Sequence, residues 1–175
     1  MGRIGVPKPV KLVVSLITSD DALGRQVKDL LEERYGAVDF VSDMLPFDFT
    51  DYYAPEMGPG LSRRIITFNR LIPREWLLEI KLDTNAIEER FSVEGKRRIN
   101  IDPGYMSAEH VILATTKGSA HRPYLGHGIY ADLTLIFAKG AFQPLGWTYP
   151  DYASEEIRGQ FKRVRQRYLQ QLRKS

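Results

Sequence analysis

The feature that most constrains the fold of this chain is an alternation, over its first hundred residues, of short β-branched runs with amphipathic helical stretches. Val10-Lys-Leu-Val-Val-Ser-Leu-Ile-Thr18 is apolar, β-branched and short, the pattern of a buried strand. Asp20 or Asp21 then offers a helix cap. Leu23, Val27, Leu30 and Leu31 fall on one helical face, and Gly36 stands where such a helix stops. Ala37 to Ser42 reads as a second strand, Leu61 to Leu71 as a third, and Met44 to Gly60 as the long connection between them. Pro73 suits the first turn of a helix running to about Phe91, with Trp76, Leu77, Ile80, Ile87 and Phe91 on its apolar face. Lys96 to Asp102 alternates polar and apolar residues as a fourth strand, which Pro103-Gly104 is expected to end. The resulting order is βαββαβ, the ferredoxin-like arrangement.

Beyond this unit, Ser107 to Lys117 suits either a helix capped by Ser107 or a strand through Val111-Ile-Leu113, and the helix is preferred. Gly128 to Leu145 reads as a hairpin turning at Lys139-Gly140. A final helix from about Ser154 to Leu172 carries Ile157, Phe161, Val164, Tyr168 and Leu172 on one face. The expectation is an α+β chain with one globular domain over residues 1–175. Its first half is ferredoxin-like; a helix, a β-hairpin and a C-terminal helix extend it, and residues 1–9 form an extended N-terminal segment.

Composition narrows the function classes. With no cysteine among 175 residues, disulfide frameworks, Cys-ligated metals and thiol nucleophiles are excluded, and a reducing, cytoplasmic setting is expected. The longest apolar run, Leu12 to Ile17, is broken by Ser15 and is far too short for a membrane span, and residues 1–9 contain no apolar stretch of the export-signal type. The net charge of +3 points toward anionic partners only until it is located. Residues 151–175 hold seven Lys/Arg against three Asp/Glu, leaving 18 against 19 for the first 150. The excess therefore belongs to the C-terminal helix, and a general nucleic-acid-binding surface is poorly supported.

Three stretches can carry chemistry. In Glu94-Gly-Lys-Arg-Arg-Ile-Asn-Ile-Asp-Pro-Gly-Tyr105, period-2 geometry puts Arg98, Asn100 and Asp102 on one face, either a solvated sheet face or, with Arg97, an anion-binding one. In Thr115-Thr-Lys-Gly-Ser-Ala-His-Arg-Pro-Tyr124 and the following Gly126 to Asp132, His121 can act as acid/base, Lys117 and Arg122 can clamp an anion, and Asp102 or Asp132 can orient the base. In Pro46-Phe-Asp-Phe-Thr-Asp-Tyr-Tyr53, Tyr52 can stack on a ring while Asp48 accepts its hydrogen bonds; the alternative is that the aromatics only pin the loop. His121, His127 and Asp132 match no metal-ligand spacing, so no metal is expected. No phosphate-cradling glycine loop, dinucleotide fingerprint or hydrolase nucleophile motif occurs, and the sequence leaves the cofactor open.

These stretches, with Glu56-Met-Gly-Pro-Gly-Leu61, Ala114-Thr-Thr-Lys117, Gly128-Ile-Tyr-Ala-Asp132 and Phe142-Gln-Pro-Leu-Gly-Trp-Thr-Tyr-Pro-Asp-Tyr152, resemble the prokaryotic family catalogued as domain of unknown function 4416. The resemblance implies a single-domain cytoplasmic protein and transfers no activity to any residue. The functional expectation from the residues is a small-molecule site, binding or enzymatic, for a phosphorylated or nucleotide-like anionic ligand. The alternatives are an RNA-binding module and a non-catalytic scaffold that docks a partner through the basic C-terminal helix.

Overall fold

The structure, a computed structural model, describes residues 2–174. It is an α+β fold whose described strands join one antiparallel sheet. The elements in chain order are β1 (Val10–Thr18), α1 (Asp21–Tyr35), β2 (Val38–Val41), β3 (Leu45–Pro46), α2 (Ala54–Met57), β4 (Ser62–Ile72), α3 (Leu77–Arg90), β5 (Asn100–Met106), β6 (His110–Thr115), β7 (Tyr124–Gly126), β8 (Ile129–Ala138), β9 (Ala141–Pro144), α4 (Pro150–Ala153) and α5 (Glu155–Lys174). The strands lie in the order β2-β4-β1-β5-β6-β8-β7, with β3 beside β4 and β9 beside β8.

Alternation along the central strand assigns the two faces. Val10, Leu12, Val14 and Leu16 of β1 pack with Leu23, Val27 and Leu31 of α1 and Ile80 and Ile87 of α3. On the opposite face Val13 packs with Ile65, Leu113, Leu135 and Phe142 under Ile157, Phe161 and Val164 of α5. Helices therefore cover both faces. Full burial of a side chain the size of Phe161 or Val164 contributes about 1.5–3 kcal/mol, which is what docks the charged α5.

Local signals place the helices where the sequence predicts. The Asp20 carboxylate accepts the Leu23 N–H at 3.0 Å as the cap of α1, and Gly36, at φ 98°, donates its N–H to Glu32 as the chain leaves that helix. Lys139 and Gly140, both at positive φ (51° and 80°), form the two-residue turn between β8 and β9. A cation inside β1, Lys11, is fully buried on the α5 face, where it donates to Asp39 at 2.6 Å, to the Phe68 carbonyl at 2.8 Å and to Gln171 of α5 at 2.8 Å.

Two expectations are corrected. Ser107 to Lys117 contains the strand β6 in place of a helix; its Val-Ile-Leu core is β-branched at two of three positions, and the Ser107 hydroxyl, instead of capping a helix, accepts the Glu109 and His110 N–H groups in the β5–β6 turn. Pro103-Gly104 does not end β5, which continues to Met106. Gly104 is needed inside the strand because a Cβ there would lie 2.3 Å from the Ile112 carbonyl oxygen.

Candidate functional site

The site arises because β5 and β6 part company. β5 pairs with β1 along its whole length, Asn100 to Met106, but with β6 only from Gly104 opposite Leu113 to Met106 opposite Val111. Among the described residues Asn100 to Pro103 thus has no strand on its β6 side, and side chains of α3 take the place of one. Glu88 accepts the Ile101 N–H at 2.5 Å, and Lys81 donates to the Ile101 carbonyl at 3.2 Å. Pro103 brings no N–H that would need a partner. The divergence opens a cleft of about 690 Å³, flanked by Asn100 and Asp102 on one side and by Thr115, Thr116 and Lys117 on the other. The 47–53 loop and the Tyr149–Tyr152 stretch complete its walls.

One wall is a continuous polar chain. Arg97 grips both oxygens of Glu56 (2.8 and 2.7 Å) and donates to Asn100 at 2.9 Å and Glu88 at 3.4 Å. Asn100 donates in turn to Asp102 at 2.7 Å, and the Lys81 ammonium lies 3.5 Å from the same carboxylate. The Arg97 guanidinium holds the Glu56 carboxyl below its ordinary range, whereas burial pushes Glu88 upward against the opposing pull of Lys81.

The opposite wall is organised by Asp132, which is buried and accepts Arg122 Nε at 2.7 Å. Arg122 also donates to the Lys117 carbonyl at 3.0 Å and the Tyr149 hydroxyl at 2.9 Å, so its fork braces the wall. His121 stacks on Trp147 with centroids 4.8 Å apart and holds Nε2 3.6 Å from Asp132. The Lys117 ammonium sits 3.9 Å from the centre of the Tyr52 ring. At the inner end, Arg63 is sandwiched between the Phe47 and Tyr152 rings, at 4.9 and 4.7 Å from their centroids, and pairs with the buried Asp151 at 2.5 Å.

Of the residues picked out from sequence, Arg97, Asn100, Asp102, Lys117, Asp132 and Tyr52 line this one cleft. His121 and Arg122 stand one layer behind it, on Asp132, which is the carboxylate beside His121. Arg98 turns away to pair with Asp20 at 2.6 Å, and Asp48 is exposed on its loop outside the cleft lining. Asn100, only 3% exposed, is not on a solvated sheet face. Among the described residues no group of three or more His, Asp or Glu side chains is placed to hold a metal ion.

Lys81, Glu88, Arg63 and Asp151 were missed from the sequence. Their signals were faint: Lys81, Asn85 and Glu88 follow i, i+4, i+7 spacing beside the apolar stripe of α3, and Arg63 lies in a run of three polar residues that opens β4. Lining cations (Arg63, Lys81, Arg97, Lys117) and lining carboxylates (Glu88, Asp102, Asp132, Asp151) balance. Of those cations, Lys117 alone has no carboxylate within ion-pair distance among the described residues. Chemically this is a cleft lined by Phe47, Phe49, Tyr52, Tyr53, Tyr149 and Tyr152, with hydrogen-bonding groups among them and a cation at Lys117.

No curated protein and no solved structure matches the chain. A family model does, over residues 8–168 of 175, a span that contains every element bearing on the cleft: the chain belongs to the family described as domain of unknown function (DUF4416).

Proposed function

We propose that the cleft between β5 and β6 binds a small nucleotide-like ligand, one with a planar ring and an anionic group. The observation that carries this reading is the cleft itself: about 690 Å³, walled by six aromatic rings, with Asn100, Asp102, Arg63 and Lys117 facing into it. The rings supply stacking area, Asn100 and Asp102 supply hydrogen bonds to ring edges, and Lys117 is the cation available to an anionic substituent. In a catalytic version of the same reading, Asp132, which lines the cleft, is the group that reaches the ligand, and His121, expected from the sequence as the acid/base, stands behind it and positions it.

The RNA alternative asks for an open sheet face on which bases stack, and helices occupy both faces of this sheet. The scaffold alternative asks for a free cationic face on α5. There, Arg158, Arg165 and Arg167 donate to the Ala153, Ala108 and Asp39 carbonyls of their own domain, and Lys162, Arg163 and Arg173 are exposed on the outer face. Two further readings accompany the proposal. The βαββαβ order, the strand sequence β2-β4-β1-β5 and the placement of α1 and α3 on one face support a ferredoxin-like first half. The absence of cysteine supports a cytoplasmic setting.

The test is calorimetric titration of the full chain with nucleoside monophosphates, the parent nucleosides and a single-stranded homopolymer RNA. The reading expects saturable binding of at least one monophosphate, tighter than its nucleoside. Replacing the exposed Tyr52 with Ala should weaken it by about 1–3 kcal/mol, the size of one base–aromatic stack. No binding of any monophosphate at millimolar concentration by the folded protein would overturn it, as would RNA binding that is steeply salt-dependent in place of monophosphate binding.

A further inference from the structure

One loop that lines the cleft is anchored firmly at its base. The Phe47 N–H donates to the Leu61 carbonyl at 3.0 Å, which closes residues 47–61 into a surface loop with adjacent ends. Phe47 is buried with the Arg63 guanidinium over its ring, and the Tyr53 ring packs on it with centroids 5.7 Å apart. Arg97 stands 5.6 Å from the centre of the Tyr53 ring and grips Glu56. These outside partners belong to β4 or to the segment entering β5.

The tip of the loop is held differently. Asp48 to Tyr52 is exposed at every position, Phe49 at 51% and Tyr52 at 58%. Its backbone hydrogen bonds stay inside the loop: Thr50 Oγ1 accepts the Tyr52 N–H at 3.1 Å, and the Asp51 carbonyl accepts the Ala54 N–H at 3.0 Å. Among the described residues, one hydrogen bond, ion pair or ring contact joins this tip to the chain outside the loop. It is the contact of Tyr52 with the Lys117 ammonium, 3.9 Å from the ring centre, just past the end of β6 on the opposite flank of the cleft. A segment with so few bonds to its surroundings opens at low free energy.

Both partners of that contact are groups the ligand itself would use. Lys117 is the lining cation without a carboxylate, and Tyr52 is the most exposed of the lining aromatics. With the ammonium on the ring, the cation and the stacking face occupy each other. We infer that Asp48–Tyr52 is a strap which the unliganded chain latches across the cleft through Tyr52 and Lys117, and that ligand entry exchanges the latch. The anionic group of the ligand takes the ammonium, and its ring takes the face of Tyr52. The strap moves on the fixed points Phe47 and Tyr53. An exposed cation–π contact shifts an equilibrium by only about two- to fivefold, so the latch holds the empty cleft shut without sealing it, and apparent affinity falls in proportion to the open fraction. The latch is a property of the free chain; the exchange deepens the nucleotide-like reading and rests on it.

The chain contains no cysteine, so Asp51→Cys and Glu89→Cys, both at exposed positions, put a nitroxide pair on the strap and on α3 without background labelling. Double electron–electron resonance on the full chain, without ligand, reads the distance between them. The inference expects a main distance and a minor displaced one, whose ratio to the main one rises about two- to fivefold when Lys117→Met or Tyr52→Leu is added. Distance distributions that neither substitution changes overturn the latch. The exchange is read by proton NMR on the unlabelled chain. The Tyr52 ring should shift the Lys117 ε-methylene resonances upfield, and saturation with a nucleoside monophosphate should remove most of that shift. A shift retained at saturation overturns the exchange and leaves the nucleotide-like reading standing. If no monophosphate binds, the nucleotide-like reading and the exchange are both overturned, and the spin-label distances still decide the latch.

Discussion

If α3 side chains stand in for a missing strand beside β5, then Glu88 should matter through the one acceptor it gives to the backbone. The informative pair of substitutions is Glu88→Gln and Glu88→Met. Glutamine keeps an oxygen within reach of the Ile101 N–H, now bonded at 2.5 Å, while methionine has the same length and no useful acceptor. Glu88 is buried, so in the methionine variant the Ile101 N–H is left without a partner away from water. That costs about 1–3 kcal/mol, or roughly 2–12 °C in Tm for a chain of this size. The charge adds a second signature. Burial, the dominant influence, raises the Glu88 carboxyl above its ordinary value of 4.5, so folding favours the protonated form. The cost of holding Glu88 charged is absent at pH values below 4.5 and sets in as pH rises through the folded value. Glu88→Gln removes that cost and should gain on the wild type between pH 4 and pH 7. Urea unfolding followed by circular dichroism across this range reads both effects. Equal stability of the glutamine and methionine variants at pH 7 would refute the stand-in role of α3.

Other consequences follow from single contacts. Gly104→Ala would place a Cβ 2.3 Å from the Ile112 oxygen and 2.7 Å from Leu113 Cδ2, and should lower unfolding stability by at least about 2 kcal/mol, the range of forced overpacking; a neutral effect in thermal denaturation would show that the strands can separate freely there. Burial, reinforced by Arg74, lowers the His110 imidazole below its ordinary 6.5. The unfolded chain therefore takes up this proton first, and stability is lost as pH falls below 6.5 through the folded value. His110→Gln should show a smaller loss between pH 7.5 and pH 5.5 than the wild type, and an identical loss would assign the acid sensitivity elsewhere.

The fold was legible wherever a segment's own residues decide its structure. Val10–Thr18, the Asp20-capped helix and the Lys139-Gly140 turn all formed as their sequences predict, because capping, periodicity and turn chemistry are local. The failures share a cause. Val111-Ile-Leu113 has no helix-breaking residue, and it became a strand because β5 and β8 flank it, partners that its own sequence does not reveal. Pro103-Gly104 has the composition of a turn, but in the sheet the glycine meets a close strand and the proline sits where no β6 partner needs its N–H. The same limit applies to the site. Asn100, Asp102, Lys117 and Asp132 were recognisable as polar residues in otherwise ordered segments, yet their convergence depends on where the β5–β6 ladder stops, a matter of register between strands.

The central claim is that one cleft at the β5–β6 divergence takes the ligand, and mapping backbone amide shifts in the ¹⁵N-labelled full chain during titration with a nucleoside monophosphate tests it most directly. The account predicts that the largest saturable shifts fall together on Thr50–Tyr53, Asn100–Asp102, Thr115–Lys117 and Tyr149–Tyr152, stretches far apart in sequence that meet only around this cleft. Shifts confined to the outer face of α5, around Lys162, Arg163 and Arg173, or no shifts at millimolar ligand, would contradict it.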